Sequence, residues 1–387
     1  MLTDDPYLAV QNLSLIQRQA GVDPEVADLV CAYARLRANA GQAVVFYDEQ
    51  ASLDELSRQF IHRRFVRNNS ELDPRFLSFL VAYGNQMAAR SLPVVYGVEH
   101  LALKRRMSEK QLRWMARNSR LFYKEFKIPK ANGGIRTILA PQGRLLTHQR
   151  WILRKMLDRA TPHRYACGFV KGRSILDNAR PHIGRKVVIR IDLQDFFPSI
   201  SHRQVRKVFE QLGYPYRVAS LLANLCTVDG FLPQGAPTSP ALSNMVCGKM
   251  DRRFAGLKEK LNFRYSRYAD DLVFSSDDDR LPNLIPFFKQ VLREEGFAVN
   301  QGKVRIMRQG QQQKVTGIVV NEKASIDREH IRKLRAAVHR LKTQGPEAIV
   351  VKTRPGSEHD PIYVLRGHLS FVRMVNPAAA DRMAIPG

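Results

Sequence analysis

The sequence predicts an α+β protein of two or three subdomains, and three observations support this. The first hundred residues carry repeated helix-start signals, short strand-like runs alternate with helical stretches after about Leu121, and the pattern is helical again from Ala324. Such a mixture of helices and strands is typical of the α+β class. With 387 residues, 44% of them hydrophobic, the chain can bury a substantial core.

Helix starts in the first part of the chain are recognised by their capping residues. An N-cap side chain accepts hydrogen bonds from open N–H groups at a helix start, and proline or a capping-box partner often follows it. Such pairs occur at four places: Asp23-Pro24, Ser52 with Glu55, Asp73-Pro74 and Ser108 with Gln111.

Strand-like runs bounded by Gly and Pro follow, and they read FKIPKANGGIRTILAP, KVVIRIDLQDFFPSI, FRYSRYADDLVFSS and KVTGIVVN. Helices are predicted between them over Ser201 to Leu212, Pro240 to Lys258 and Leu284 to Glu295. Beyond Ala324 one helix face is apolar and basic residues surround it, so this helix either lies along a nucleic-acid backbone or packs with a solvated rim. The apolar residues are Ile331, Leu334, Val338 and Leu341, and the basic ones include Arg332 and Arg335.

The charge of the chain is extreme, at +26, with 62 Lys and Arg against 36 Asp and Glu. Such a protein attracts polyanions, nucleic acid first and an acidic membrane second. No apolar run is long enough for a membrane span, and the start MLTDDPYLAV is acidic, so a cytoplasmic protein without a membrane partner is expected. The four cysteines lack paired spacing and predict neither disulfides nor a zinc site.

Two adjacent carboxylates, Asp270 and Asp271, stand at the centre of the apolar stretch RYSRYADDLVFSS. Neighbouring side chains of a strand point to opposite faces, so the two can serve one site only at a bend, predicted over Ala269 to Asp271. Two carboxylates about 4 Å apart repel by about 4 kcal/mol at an effective dielectric of 20, so burial demands a cation. The polar-flanked SDDDR, Ser276 to Arg280, is predicted to be a solvated loop without function.

A further carboxylate, Asp192, ends an alternating strand in VVIRIDLQDFFPSI, where apolar neighbours exclude water. Mg²⁺ prefers oxygen ligands, often one or two carboxylates together with substrate phosphates. A two-metal site activates an attacking hydroxyl and stabilises the leaving pyrophosphate, and three aspartates from two strands can build one.

Asp192, then QGAPTSP, then YADD, in this order and spacing, resemble the palm of reverse transcriptases, from about Leu121 to the C-terminus. The resemblance implies a right-hand polymerase: residues 1–93 a helical N-terminal extension, 94–185 fingers, 186–323 palm and 324–387 a helical thumb. It implies that Asp192, Asp270 and Asp271 are catalytic and bind two Mg²⁺ ions, with Mn²⁺ as a substitute and the Leu193 carbonyl as a further ligand.

The same resemblance gives roles to residues around the carboxylates. IPKANGGIR resembles the fingers loop, which implies that Lys130 and Arg136 bind the nucleotide triphosphate, unless they are plain hairpin surface. Phe197, five residues after Asp192, takes the position of the steric gate that favours deoxynucleotides, although core packing also explains an aromatic ring there.

Five more positions are implied to contact the nucleotide. The backbone at Asp195 and Phe196 would cradle phosphate, and Gln234 and Gly235 would lie beside the sugar and template base. Lys303 would stand near the leaving pyrophosphate as a general acid, with surface lysine as the alternative.

Two short motifs resemble signatures of retron reverse transcriptases: NARPH, Asn178 to His182, matches NAxxH, and VTG is formed by Val315, Thr316 and Gly317. Their positions are assigned to nucleic-acid contact together with Arg332 and Arg335. Each motif alone is also explained by a turn or a strand end.

The retron resemblance implies that the protein binds a cognate structured noncoding RNA and copies part of it into RNA-linked single-stranded DNA from deoxynucleotide triphosphates. It also implies a role in anti-phage defence with an effector protein, in a bacterial cytoplasm. The N-terminal extension is expected to contact the RNA or the effector. Two alternatives remain: another defence-associated or group II intron-type reverse transcriptase, and an RNA-binding scaffold with a vestigial polymerase.

Overall fold

The computed structural model describes residues 74–129, 133–345 and 360–383, together with the isolated positions Asp28, Leu29, Ala32, Ser57 and Phe60. The helix starts predicted at Asp23 and Ser52 lie outside the described residues. The chain divides into two compact units, Met1–Pro162 with Asp195–Gly248, and His163–Gln194 with Lys249–Gly387. The division into extension, fingers, palm and thumb stays a prediction.

The described helices and strands confirm the α+β class. In chain order they are α1 (Pro74–Ala89), α2 (Val98–Lys104), α3 (Glu109–Arg117), β1 (Tyr123–Pro129), β2 (Ile135–Pro141), α4 (Gly143–Lys155), α5 (Ile175–Ala179), β3 (Val187–Asp192), α6 (His202–Leu212), α7 (Tyr216–Cys226), α8 (Ser239–Val246), α9 (Gly248–Leu257), β4 (Arg264–Tyr268), β5 (Asp271–Ser276), α10 (Ile285–Glu294), β6 (Arg305–Arg308), β7 (Lys314–Val315), β8 (Ile318–Val319), α11 (Arg328–Gln344), α12 (Pro361–Val375) and α13 (Pro377–Asp381).

The sequence signals place most of these boundaries. Ser108 caps α3 in a capping box with Gln111, and Ser201 caps α6 in the same way. The single helix predicted over Pro240 to Lys258 is wrong, because the structure has two helices, α8 and α9, that meet at Cys247. The neighbouring Gly248 explains the interruption, since glycine is a weak helix former. Within the described ranges every helix is too short or too polar to cross a bilayer.

The first unit is helical apart from the antiparallel β1–β2 hairpin. Helix α1 belongs to its core: Tyr83 is fully buried and its hydroxyl donates to the carbonyls of Val95, at 3.1 Å, and Gly213, at 3.3 Å. Phe60 is buried as well, and its ring stacks on His100. The described part of the predicted N-terminal extension is therefore packed into this unit.

The second unit is built on an antiparallel sheet in the order β4-β5-β3-β6. One face of the sheet is aromatic, and the rings of Phe274 on β5 and Phe288 on α10 stack with centroids 4.1 Å apart. Phe254 of α9 packs edge-on against both rings. The opposite face carries the carboxylates described below, because side chains alternate along each strand.

The C-terminal helices of the second unit confirm the amphipathic pattern. Leu334 and Val338 of α11 are buried against Leu365 and Val372 of α12, and the other predicted apolar residues, Ile331 and Leu341, are partly buried in this cluster. Arg332 and Arg335 are exposed on the other side of α11.

A fully buried ion pair lies between the sheet and α9. The guanidinium of Arg267 on β4 donates to both oxygens of Asp251, at 2.9 and 2.7 Å, and both side chains are 0% exposed. Arg267 also donates to the Ala269 carbonyl at 3.1 Å, and the Tyr265 hydroxyl donates to Asp251 at 2.7 Å. Each charge is thus compensated by several hydrogen bonds, which a buried pair requires.

We expect Asp251→Asn to lower the free energy of unfolding by about 3 to 5 kcal/mol, because it leaves the Arg267 charge buried without its counter-ion. Denaturant unfolding measures this. The matched control is Asp278→Asn, which breaks the exposed pair with Arg280 and should have no resolvable effect. Equal losses in the two variants would contradict the assignment.

Candidate active site

The turn between β4 and β5 carries the adjacent carboxylates. β4 ends at Tyr268 and β5 begins at Asp271, and Ala269 takes a left-handed conformation with φ of 58°. This confirms the bend predicted over Ala269 to Asp271. Asp270 therefore lies in the turn and Asp271 at the first position of β5. The two side chains need not point to opposite faces of the sheet, as neighbours within a strand do.

A glycine approaches this turn from the preceding segment of the same unit. The Cys167 N–H donates to the Arg267 carbonyl at 2.7 Å, which lays the segment alongside β4. A Cβ atom built on Gly168 would lie 2.6 Å from the Ala269 backbone nitrogen. No side chain fits at residue 168 unless the turn moves.

The strand register brings the distant Asp192 to this turn. In the antiparallel β3–β5 pair, Asp192 is directly opposite Asp271, so their side chains share one face of the sheet. The Leu193 N–H donates to the Asp270 carbonyl at 3.0 Å. The three predicted aspartates thus lie at one end of the sheet, although Asp192 is distant in sequence from the adjacent Asp270 and Asp271.

Two basic side chains form ion pairs with the carboxylates of Asp271 and Asp192. Arg190 donates from Nε to both oxygens of Asp271, at 3.1 Å each, and from Nη2 to one of them at 2.7 Å. The Lys303 ammonium donates to both oxygens of Asp192, at 2.9 and 3.1 Å. Lys303 is therefore a partner of Asp192 in this structure, and its role as a general acid stays a prediction.

The environment sets the pKa of Asp271 apart from that of other aspartates. Burial raises its pKa, Arg190 opposes this, and the charges of Asp270 and Asp192 raise it further. In the solvated SDDDR loop the opposite holds, since hydrogen bonds from Arg280 lower the pKa of Asp278 to about 2. Burial is thus the main cause of the raised pKa of Asp271, and Arg190 is the group that opposes it.

The donor chemistry of this site fits Mg²⁺, which prefers carboxylate oxygens. Over the residues that the structure describes, no three His, Cys, Asp or Glu side chains are grouped as a metal site. In this structure Arg190 pairs with Asp271 and Lys303 pairs with Asp192. The two-metal assignment of Asp192, Leu193, Asp270 and Asp271 stays a prediction.

The first unit contains the other predicted nucleotide contacts. Arg136 is exposed on β2, while Lys130 lies outside the described residues. Asp195 is exposed in a left-handed conformation with φ of 43°. Phe196 is buried at 5% exposure, whereas its neighbour Phe197 is only half-buried. Phe196 therefore does the core packing, and Phe197 stays a candidate gate.

The QGAP loop is held against the hairpin of the same unit. The Gln234 carbonyl accepts a hydrogen bond from the Leu139 N–H at 2.8 Å. Gly235 has φ of 124°, and a Cβ there would lie 2.8 Å from the Leu139 carbonyl oxygen. Only glycine fits this conformation and this close approach. The predicted contacts of both residues with the sugar and template base stay predictions.

The two retron-like motifs form a buried polar network. His182 is fully buried, and its ring nitrogens lie 2.7 Å from Ser275 Oγ and 2.8 Å from Ser266 Oγ. The Ser266 hydroxyl lies 2.7 Å from Asn178 Oδ1 and the Asn178 amide 3.5 Å from Thr316 Oγ1. The motifs therefore contact each other directly through Asn178 and Thr316, while Ser266 joins Asn178 to His182 within the first motif.

The burial of these side chains bears on the sequence interpretation. Asn178, His182 and Val315 are 0% exposed, so their side chains pack in the protein interior, and their contact with nucleic acid stays a prediction. Thr316 and Gly317 form the two-residue turn between β7 and β8, with φ of 46° and 88°, as a type I′ hairpin requires. Nucleic-acid contact by Thr316, Gly317, Arg332 and Arg335 stays a prediction.

Sequence reasoning missed three residues at the site: Arg190, Gly168 and Arg267. Arg190 had a readable signal, since it stands two residues before Asp192 and so on the same strand face. Gly168 and Arg267 had none, because their roles depend on contacts across the fold.

Comparison with known proteins finds a matching family model and several similar proteins. A family model described as reverse transcriptase (RNA-dependent DNA polymerase) matches residues 128–320. The Retron Mx65 and Retron Mx162 reverse transcriptases of Myxococcus xanthus are 41% and 36% identical, over alignments covering 68% and 75% of this chain and 63% and 66% of theirs. The Retron Ec86 reverse transcriptase of Escherichia coli is 34% identical, covering 76% of this chain and 88% of its own.

The family match thus places this chain in the reverse transcriptase class, as the sequence predicts. More narrowly, the chain belongs to the retron reverse transcriptase family. It spans just under two thirds of the length of the two Myxococcus relatives.

The buried His182 predicts a pH dependence of stability. Burial, with a contribution from Arg185, lowers its pKa from 6.5 to about 3. Below about pH 6.5 the unfolded chain binds a proton that the folded protein excludes. The free energy of unfolding therefore decreases as the pH is lowered, by up to about 1 kcal/mol per pH unit.

We expect His182→Gln to remove this part of the slope, measured by denaturant unfolding between pH 7.5 and 4.5. At pH 7.5 the imidazole of His182 is neutral in both the folded and the unfolded state. The difference in unfolding free energy between wild type and variant at that pH is therefore the reference value. Parallel stability curves for wild type and variant would show that His182 does not carry the dependence.

Proposed function

We propose that this protein is an RNA-directed DNA polymerase that binds a structured noncoding RNA and copies part of it into single-stranded DNA that stays joined to the RNA. Deoxynucleotide triphosphates are its substrates. The observation that carries the proposal is the β3–β5 register, which sets Asp192 opposite Asp271 beside the turn that carries Asp270. Membership of the retron reverse transcriptase family supports it.

The carboxylates are the chemical centre of the proposal. Two Mg²⁺ ions, or Mn²⁺ in their place, would activate the attacking hydroxyl and stabilise the leaving pyrophosphate. Asp192, Asp270 and Asp271, with the Leu193 carbonyl, would supply the protein oxygens. Lys303, now on Asp192, is long and half-exposed, so its ammonium can turn toward a developing negative charge as a general acid.

The charge of +26 supports an RNA partner, since most of the affinity for nucleic acid comes from phosphate neutralisation. Arg332 and Arg335 are exposed on α11 and are the proposed phosphate contacts. An effector protein, an anti-phage role and a bacterial cytoplasmic location complete the proposal, and family membership is their support.

The first test is the double substitution Asp270→Ala with Asp271→Ala. The full chain is expressed with its flanking noncoding RNA, then supplied with deoxynucleotides and Mg²⁺, and RNA-linked DNA is measured on denaturing gels. We expect a loss of about a thousandfold or more, since stabilisation worth several kcal/mol is removed.

The matched control is Asp277→Ala with Asp278→Ala, an equal change of charge on the solvated loop at the other end of β5. It should leave synthesis unchanged. Undiminished product from the 270/271 variant would overturn the site.

The second test addresses the steric gate. Phe197→Val should raise incorporation of ribonucleotides relative to deoxynucleotides by about tenfold or more, because a smaller side chain no longer excludes the 2′-hydroxyl. Competition between the two nucleotides during primer extension measures this. Phe196→Leu is the control for altered packing, and unchanged discrimination by Phe197→Val would reject the gate.

A further inference from the structure

Arg190 is placed by the sheet to meet the carboxylates. It stands two residues before Asp192 on β3 and therefore on the same face, and β5 brings Asp271 to that face. Its guanidinium holds both oxygens of Asp271 through the three contacts of 2.7 to 3.1 Å described above. Asp271 is 13% exposed, so water screens this pair only partly.

The charge of this cation is permanent. A guanidinium does not lose its proton in proteins. A metal ion binds through carboxylate lone pairs, so it competes with the guanidinium for the same oxygens. Lys303 pairs with Asp192 at the same end of the sheet. A divalent ion that enters must displace Arg190 from Asp271 or accept its repulsion.

We propose that Arg190 is a built-in counter-ion that competes with divalent metal for Asp271, so that the site binds metal weakly until a nucleotide triphosphate adds negative charge. This rests on the proposed function, which gives Asp271 its role as a metal ligand. Arg190 is then a residue that sets metal affinity, and it acts through Asp271 rather than on the reacting atoms.

A purely positioning role for Arg190 makes the opposite prediction. If the guanidinium only holds the Asp271 carboxylate in place, its removal should weaken metal binding. If it competes, its removal should strengthen binding. The sign of the change therefore separates the two roles.

The experiment titrates Mn²⁺ alone into the full chain, without RNA or nucleotide, and follows the free ion by electron paramagnetic resonance. We expect Arg190→Gln to bind Mn²⁺ about tenfold more tightly than wild type, because a full positive charge beside the ion is gone. Arg190→Lys keeps the charge and should stay within about twofold of wild type. Arg190→Met is a second uncharged variant should the glutamine variant not fold.

The matched control is Arg185→Gln. Arg185 pairs with Asp277 at 2.5 Å across the opposite end of the same two strands, so this variant loses equal charge away from the site. Its Mn²⁺ affinity should equal that of wild type.

Unchanged or weaker binding by both uncharged variants would overturn the proposal, as would an equal gain in Arg185→Gln. RNA-linked DNA synthesis by wild type is measured separately. If wild type makes no DNA but the uncharged variants still bind Mn²⁺ more tightly, the proposed function fails while the role of Arg190 stands.

Discussion

The buried pair of Asp251 and Arg267 is the constraint on which the carboxylate turn depends. Arg267 lies on the face of β4 that packs against α9, yet its third donor group reaches the Ala269 carbonyl in the turn. A helix that takes no part in the site thereby fixes the residue with the left-handed backbone. Gly168 lies so close to the turn that a Cβ atom at this position would clash with the Ala269 backbone nitrogen. The positions of Asp270 and Asp271 follow from these contacts.

Strand register decides which chemistry faces which side. A shift of one residue between β3 and β5 would turn Asp192 toward the aromatic face, where Phe274 and Phe288 stack, and a carboxylate there would be buried without a partner. The apolar packing of one face thus disfavours a shifted β3–β5 register. It thereby maintains the register that places the carboxylates together on the other face. Stability and site geometry come from the same set of alternating side chains.

The sequence predicts local features well and distant contacts poorly. The bend at Ala269, the capping box at Ser108 and the apolar face of α11 follow from residues within a few positions of one another, and the structure confirms them. Arg190 was read only as part of a strand. Its partner Asp271 is 81 residues away, and no local pattern contains the register that joins them.

The retron-like motifs illustrate the same limit from the opposite direction. Their resemblance to retron signatures is the reason that their positions are assigned to nucleic-acid contact. The sequence alone does not show whether a side chain is buried. In the structure the side chains of Asn178 and His182 are buried against the sheet.

Mutual hydrogen bonding gives a physical reason why the two motifs occur together in one chain. A buried histidine needs two partners, which Ser266 and Ser275 supply, and Ser266 in turn needs Asn178. Asn178 reaches Thr316, the turn residue of the second motif, whose own hydroxyl donates to the Ile175 carbonyl at 3.1 Å. Loss of one member leaves another buried group unsatisfied, so the network is maintained as a set. Ser266 and Ser275 lie on the face of the sheet that carries Asp271, so the network supports the strands that carry the site.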